Sequence, residues 1–576
     1  MALFRLLVTF LIILFLYIRR PSKLVECRCR PFEPCWPSEQ AWSILNNSIN
    51  GHLVKPRPVA YVCHDPYFDH DACENVRHMA NNSVWRASMP GALQNTIWES
   101  SLASTETCLP FSARKQPCHQ GRIPLYGAVV ESTEEVQTAV RFASKYNIRL
   151  IIRNTGHDGA GSSSGPDSFQ IFTHRLDDIR HHSNFCLSNT NSNSQMCAGT
   201  AVSIGAGVMF RDLYAQGAGE GFVVTGGDSG TVGAAGGFLQ GGGVPAFTGY
   251  TWGLAVDNVL EFEVVVATGQ LVIANAGQNA DLFWALRGGG GGSFGIVVRV
   301  TMKTYPDLPT LKGELTVSGN RHDPSFWTED IAGLLAALRE LNHAGAPGVF
   351  RLIQTSAEGT INAALEMYLL NRTLAEDLIS IMESILEKGR RKYNISPITV
   401  GKVSSFANPN EPTIKEFFGS VLLSRDFFET LNSPTVIAKR MAAISLNAGD
   451  GLLTSNLGGQ INKEKKDIPL HPAWRSSAHL ISLVVNVDTS LQARERAMLK
   501  LTDELMPMLY VIDPSQRVSY SNMGNPNEPN FKERYWGTKN YQRLVGVKKY
   551  WDPEDLFIAR VGVGSDRWDF EGMCRT

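Results

Sequence analysis

The sequence predicts an α+β protein of two domains, and three observations carry that expectation. A strand–helix–strand pattern begins near Pro124. Three glycine-rich segments follow it before residue 296. Between 310 and 510 glycine becomes scarce, and helical stretches alternate with strand-like runs. A chain of 576 residues has room for two or three such units.

The first 25 residues read as a targeting segment. Leu6 to Ile18 is apolar except for Thr9, with Arg5 before it and Arg19-Arg20 after it. The run is shorter than the roughly 20 residues a spanning helix needs and suits a signal-peptide core. The two following arginines and the lack of a clear small-x-small site keep open a retained anchor, with membrane attachment through residues 3–18. Either reading sends the body of the chain into the secretory pathway. Ten cysteines agree with an oxidising compartment, and three near pairs stand out: 63/73, 108/118 and 186/197. Sequence does not give the pairing. Glycosylation sequons occur at Asn46, Asn81, Asn371 and Asn394.

Residues 26–122 form a cysteine-containing extension, rich in loops. His64, Asp65, Asp69, His70 and Asp71 have the composition of a metal site but no ligand spacing, so a loop closed by Cys63 and Cys73 is the preferred reading and no metal is expected. With 54 basic and 55 acidic residues, no basic field points to nucleic acid.

In 123–306, Gly127–Val130 reads as a strand. Ser132 with Glu135 forms a capping box, and Val136, Ala139, Val140 and Ala143 make one apolar helix face. Ile148–Ile152 is a short buried strand. It runs into a Gly/Ser loop, 153–165, that holds one histidine, His157. Glycine admits close backbone approach to a ligand, and successive loop N–H groups can cradle an anion such as pyrophosphate. A histidine in such a loop would touch a large cofactor. Phe169–Thr173 and Val202–Ala206 are strand-like, and Phe210–Gln216 suits a short helix.

Several motif matches fail on context. Gly161-Ser162-Ser163-Ser164-Gly165 fits a nucleophile elbow, yet no strand directly precedes it and no helix directly follows, which leaves a hydrolase as a distant third reading. Gly290, Gly292 and Gly295 match the dinucleotide fingerprint, but a helix precedes them and the strand Ile296–Met302 follows, the reverse of a Rossmann unit. No P-loop is present, because Gly401-Lys402 is followed by Val403. In 310–510, Ile331–Leu341 and Leu374–Lys388 read as helices and Ala478–Val487 as a strand. Residues 511–576 return to Gly, Pro and aromatic turns.

The ordered set Arg153-Asn154-Thr155-Gly156-His157-Asp158, Gly230-Thr231-Val232-Gly233 with Gly241-Gly242-Gly243, Gly253–Val259, Asp281–Gly290, Asn540–Leu544 and Trp551-Asp552-Pro553 resembles the vanillyl-alcohol-oxidase superfamily. The likeness is closer to its berberine-bridge-enzyme-like branch, secreted fungal members above all. It covers about 120–310 and 510–570; in 310–510 it rests chiefly on His471-Pro472-Ala473-Trp474-Arg475. The resemblance implies a vanillyl-alcohol-oxidase-like flavoprotein fold: an FAD-binding domain over 123–306 completed by 511–576, and an α/β substrate domain over 310–510. It implies FAD joined through its 8α-methyl to His157. The matching positions that would contact the cofactor are Arg153, Asn154, Thr155, Gly156, Asp158, Gly227, Ser229, Thr231, Gly233, Gly237, Gly242, Asp257, Ile296 and Asn540.

Two departures matter. Ser229 stands where many relatives carry a cysteine, so a single histidyl linkage is expected. The run Tyr520-Ser521-Asn522-Met523 puts Met523 where relatives have a catalytic tyrosine, which leaves Tyr520 and His471 as candidate bases. Asp228 adds a charge where relatives place a small apolar residue. The resemblance implies hydride removal from a small molecule with O2 as acceptor, in secondary metabolism; oxidative cyclisation of the kind that forms chanoclavine in alkaloid assembly is the specific case. The alternatives are an alcohol or sugar oxidase of the same family and a flavin-bearing binding protein with little turnover.

Overall fold

The computed structural model describes residues 27–101, 107–188, 196–245, 247–389, 393–488 and 490–576. The apolar run Leu6–Ile18 lies outside them, and no helix of the described residues is long and apolar enough to cross a membrane.

The strand–helix–strand unit forms as its pattern predicts. Ser132 caps the helix Thr133–Lys145 by accepting the Glu135 N–H, and Val136, Ala139, Val140 and Ala143 are fully buried. The Glu135 side chain closes the box one residue further out, on the Glu131 N–H at 2.8 Å. The strands Tyr126–Val129 and Arg149–Arg153 are not neighbours. Ser168–Phe172 lies between them, parallel to both, and Leu53–Val54 adds an antiparallel edge. The Gly/Ser loop therefore leaves the C-terminal end of the edge strand Arg149–Arg153, where open α/β sheets bind ligands.

A second, five-stranded antiparallel sheet runs in the order Ile179–Cys186, Cys197–Gly205, Ile296–Lys303, Val259–Val265, Leu271–Asn275. The helix Ala280–Leu286, the glycines and then the strand from Ile296 follow in that order, as read from sequence. The stretch from 309 to 486 folds into a third, antiparallel sheet of eight strands. One face is backed by the helices Ala332–His343, Ala375–Gly389 and Ser433–Ala443, with Leu334, Leu338, Phe350, Leu365, Phe417, Ile437 and Ile481 in the core between. The other face turns toward the first two sheets.

All ten cysteines are paired. The near pairs Cys63–Cys73, Cys108–Cys118 and Cys186–Cys197 form, with Cys29–Cys35, and Cys27–Cys574 joins the start of the described chain to its end. The extension holds more helix than its sequence indicated. Asp69 caps the helix His70–Met79, His64 holds the carbonyls of Leu109 and Gln116, and Asp65 pairs with Arg114, so these groups do not converge.

Buried cations pin the C-terminal return, Arg28 and Arg149 on its backbone carbonyls and Lys548 within it. Lys548, on the helix Thr538–Trp551, reaches Asp552 at 2.5 Å, Phe557 O at 2.6 Å and Ser293 O at 2.8 Å, with both charged side chains essentially inaccessible. Burial pulls the Lys548 pKa down, and Asp552 opposes that shift. Removing one partner of such a pair strands the other. Lys548→Met is expected to cost about 3–5 kcal/mol in urea unfolding; an unchanged midpoint would refute this.

Candidate functional site

Where the three sheets meet lies a cavity of about 590 Å³, in the range of cofactor and small-ligand sites. One wall is the Gly/Ser loop, the segment Asp228–Phe238, the glycines 290–292 and the return 557–562. The opposite wall is the open face of the eight-stranded sheet, with Val349, Arg351, Leu453, Ser455, Leu480, Ser482, Glu416 and Phe418.

His157 lines the cavity at the loop's apex. Asp158 shapes that apex: its carboxylate accepts the N–H groups of Ala160 and Ser163, each at 2.9 Å. Gly156 has φ +87°, and a Cβ there would sit 3.1 Å from Leu93 Cα, so the position needs glycine on both counts. The His157 Nε2 lies 2.7 Å from Thr231 Oγ1 and 3.4 Å from Glu411 Oε1. Glu411 also accepts from the Ser229 and Thr231 hydroxyls and from the N–H groups of Gly230 and Thr231. Burial pushes the Glu411 carboxyl up. The hydrogen bonds from His157, Ser229 and Thr231 outweigh burial and hold it at about 2.

Of the sequence-derived contacts, Asn154, Thr155, Gly156, His157, Asp158, Ser229, Gly233, Gly237 and Ile296 line the cavity. Thr231 sits just behind His157 and touches its ring nitrogen. Five others lie off the cavity lining. The Arg153 guanidinium turns away, donating to Met89 O and Arg86 O and stacking over Phe172. Gly227 packs under Phe238 and Phe210. Gly242, Asp257 and Asn540 dock the segment 467–475: Gly242 packs on Leu470, Asp257 forms a two-pronged pair with Arg475, and Asn540 donates to Pro469 O and Leu470 O.

His471 belongs to that same dock. Its Nδ1 accepts the Ala473 N–H at 3.1 Å, burial lowers its pKa, and it does not line the cavity. Tyr520 and Met523 do line it. The Tyr520 hydroxyl accepts from Asn522 Nδ2 at 2.8 Å and from Val244 N at 3.4 Å, and burial pushes its pKa up to about 12. It is a protonated donor at neutral pH, and Met523 has no proton chemistry.

Sequence reasoning missed Glu416. It opens the strand Glu416–Ser424, its backbone held by the Asn95 carboxamide. Its carboxyl has no hydrogen-bond or ion-pair partner among the described residues, and burial alone pushes it up to about 7. Phe418, two residues along on the same strand face, packs against Gly159 of the histidine loop, which places Glu416 on the cavity side near that loop. The signal in sequence is a lone acid heading the apolar run Phe417–Leu423. Across the mouth, Arg351 pairs with Glu366 at 3.2 Å and approaches Asp228 at 3.8 Å; burial raises the Asp228 carboxyl and Arg351 draws it back.

The residues present fit FAD. At Gly236, Gly237, Gly290 and Gly292 a Cβ would meet no protein atom closer than 3.7 Å, so the room they leave faces the cavity. Asn154 Oδ1, Ser293 Oγ, Ser521 Oγ and the three guanidinium nitrogens of Arg560 line it without a hydrogen-bond partner among the described residues. Buried polar groups of this kind require a partner, and a flavin dinucleotide brings carbonyls, ring nitrogens, hydroxyls and phosphates. With every cysteine in a disulfide, no thiol is available for a second covalent bond.

Comparison with known proteins agrees. Residues 124–275 match the FAD binding domain family and residues 519–564 the berberine and berberine-like family. The chain is 81% identical over its full length, and over the full length of the relative, to the FAD-linked oxidoreductase asqF of Emericella nidulans. It is 60% identical to the FAD-linked oxidoreductase penH of Penicillium thymicola, over 98% of each chain. The VAO-type flavoprotein MtVAO615 of Myceliophthora thermophila superposes with a TM-score of 0.83 at 27% identity, over 96% of this chain and 100% of that one. Berberine bridge enzyme shares the fold at a TM-score of 0.60 and 17% identity, over 76% of this chain and 90% of that one. A cavity with this cradle, in a chain this similar to named FAD-linked oxidoreductases, makes the protein a member of the berberine-bridge-enzyme-like FAD-linked oxidoreductases of the VAO-type flavoproteins.

Proposed function

We propose that this oxidoreductase oxidises an apolar, ring-bearing small molecule of secondary metabolism, an alkaloid-type compound in the specific case, with O2 as acceptor. The observation that carries this reading is Glu416, a half-buried carboxyl with no partner among the described residues, on the wall of the cavity that also holds His157 and is lined by Phe418, Leu453, Leu480 and Val349. FAD, bound there through His157, supplies the hydride acceptor. Glu416 takes the proton that the substrate's N–H, O–H or C–H releases; a carboxyl titrating near 7 is ionised at the operating pH and still basic enough to hold a proton. Tyr520 donates a hydrogen bond that orients the substrate. The apolar side chains around them exclude water.

The apolar members of the sheet face, Val349, Phe418, Leu453 and Leu480, support such a substrate, and Arg351, Ser455 and Ser482 on the same face keep the sugar oxidase as the second reading. Anaerobic mixing of the holoenzyme with nitrogen-containing aromatic metabolites, primary alcohols and oligosaccharides tests it. Bleaching of the visible flavin band by the first class alone, with H2O2 formed on admitting air, is the expected result. Bleaching by oligosaccharides alone would establish the sugar oxidase. No bleaching by any class would return the protein to a binding role.

We further propose passage through the secretory pathway, with 123–306 and 511–576 acting as the FAD unit and 310–510 as the substrate unit. The disulfides support an oxidising compartment. Asn81, Asn371 and Asn394 are exposed for glycan addition, with Asn81 Oδ1 accepting from the Thr413 hydroxyl, whereas Asn46 is half-buried with its Oδ1 engaged by the Leu53 N–H. Endoglycosidase treatment of the protein expressed in a fungal host is expected to lower its mass by up to three glycans; no shift would refute the glycoprotein reading.

A further inference from the structure

Glu411 sits in a place that its own segment does not explain. The loop carrying it, between Phe406 and Glu416, zips onto the second glycine-rich segment: Gly230 N–H donates to Asn408 O at 2.8 Å and Asn408 N–H to Asp228 O at 2.7 Å. That pairing delivers the carboxylate behind His157. The Thr231 hydroxyl has one proton, and its closest partner is the Glu411 carboxylate, which can only accept. Thr231 Oγ1 must therefore accept from His157 Nε2 at 2.7 Å, and the Glu411 charge 3.4 Å away favours the same proton. In the neutral imidazole a proton on Nε2 leaves the lone pair on Nδ1. Among the described residues Nδ1 has no hydrogen-bond partner, and His157 lines the cavity.

We infer that Glu411, through Thr231, is the positioning residue for flavin attachment: it holds His157 as the Nε2–H tautomer and presents Nδ1 as the nucleophile. This rests on the reading of His157 as the anchor. The bond formed joins Nδ1 to the flavin 8α-carbon, and the bond broken is one C–H of that methyl group. The methyl proton leaves to water, and the imidazolium formed on alkylation gives up its Nε2 proton to water, with Thr231 and the charged Glu411 carboxylate holding that N–H until it leaves. The two electrons of the broken C–H bond reduce the flavin ring, which takes up the two protons, and O2 reoxidises it with release of H2O2. A carboxylate this strongly hydrogen-bonded stays charged throughout and stabilises the imidazolium that forms when Nδ1 is alkylated.

The test is the rate and extent of acid-stable flavin formation. Wild type, Glu411→Gln, Glu411→Asp and Thr231→Val would be produced with limiting riboflavin, supplied with FAD in air, and sampled over time for total bound flavin and for flavin retained after acid precipitation. The expected result is that Glu411→Gln and Thr231→Val bind FAD while acid-stable flavin forms at least tenfold more slowly, and that Glu411→Asp recovers part of the rate. Wild-type rates in both slowed variants would overturn the inference. Failure of both to bind any flavin would also overturn it, by making Glu411 a builder of the site instead of an aim for the imidazole. Release of all flavin from wild type by acid would remove the anchor reading itself, an outcome separate from either of these.

Discussion

Replacing Glu416 by Gln is expected to lower the rate of substrate-driven flavin reduction by about a hundredfold to ten-thousandfold, the usual worth of a general base, with the flavin still bound. Gln keeps the volume and removes the basic oxygen. The wild-type profile of kcat/KM should rise with pH and level off above about 7, because burial sets the Glu416 carboxyl there and only the ionised form accepts a proton. In Glu416→Gln that limb disappears. Stability moves the other way. A carboxyl whose folded pKa lies above its unfolded value contributes stability below the unfolded value and loses it as pH rises through about 7. At pH 8 the buried charge costs the wild type, so Glu416→Gln should melt at the same temperature or higher. A slow variant that is no less stable separates catalysis from folding. Retention of the wild-type rate in Glu416→Gln, with its loss in Tyr520→Phe, would move the base to Tyr520.

His157→Ala carries the second large effect. Wild type should retain its flavin through acid denaturation, and the variant should release all of it. Flavin retained by the variant would assign the bond to another residue, and with every cysteine in a disulfide no thiol is on hand to make it. The glycine cradle and the unpartnered donors remain, so the folded variant is expected to bind FAD non-covalently and to reduce it more slowly, since the histidyl bond raises the cofactor's potential. The Glu411 carboxyl should also rise from about 2, because the His157 hydrogen bond is the largest of the contributions that lower it. Glu411 contributes stability above its unfolded value that is lost as pH falls toward 2, so His157→Ala should unfold at a higher pH on acid titration. Unchanged acid unfolding would show that the imidazole does not support that carboxylate.

The cofactor half of the site was legible because its chemistry is local. A tight loop after a short strand, glycines where a backbone must come close, and one histidine among them are consecutive in the chain, and 123–165 folds much as its pattern reads. Even there a strand was displaced: Ser168–Phe172 slots between two strands that adjoin in sequence, a choice set by which apolar faces stack. Motif matching alone did not show that Gly242, Asp257 and Asn540 dock the segment 467–475, which carries His471, because those contacts join residues far apart in the chain.

The substrate half was not legible. Glu411 and Glu416 lie five residues apart in a stretch where the resemblance is thin; nothing in its neighbours marks Glu411, and Glu416 is marked only as an acid heading a largely apolar run. Their opposite titration is set by what surrounds each: five hydrogen-bonding groups from two distant loops for Glu411, none for Glu416. The sequence determined the absence of a cysteine at position 229 outright, and the ordered motifs, through the family they resemble, pointed to the class of fold and to FAD, because those motifs are short and local. Tertiary structure decided which carboxylate is charged, which is basic, and that Cys27 closes on Cys574, because burial and partnership belong to groups brought together from hundreds of residues apart.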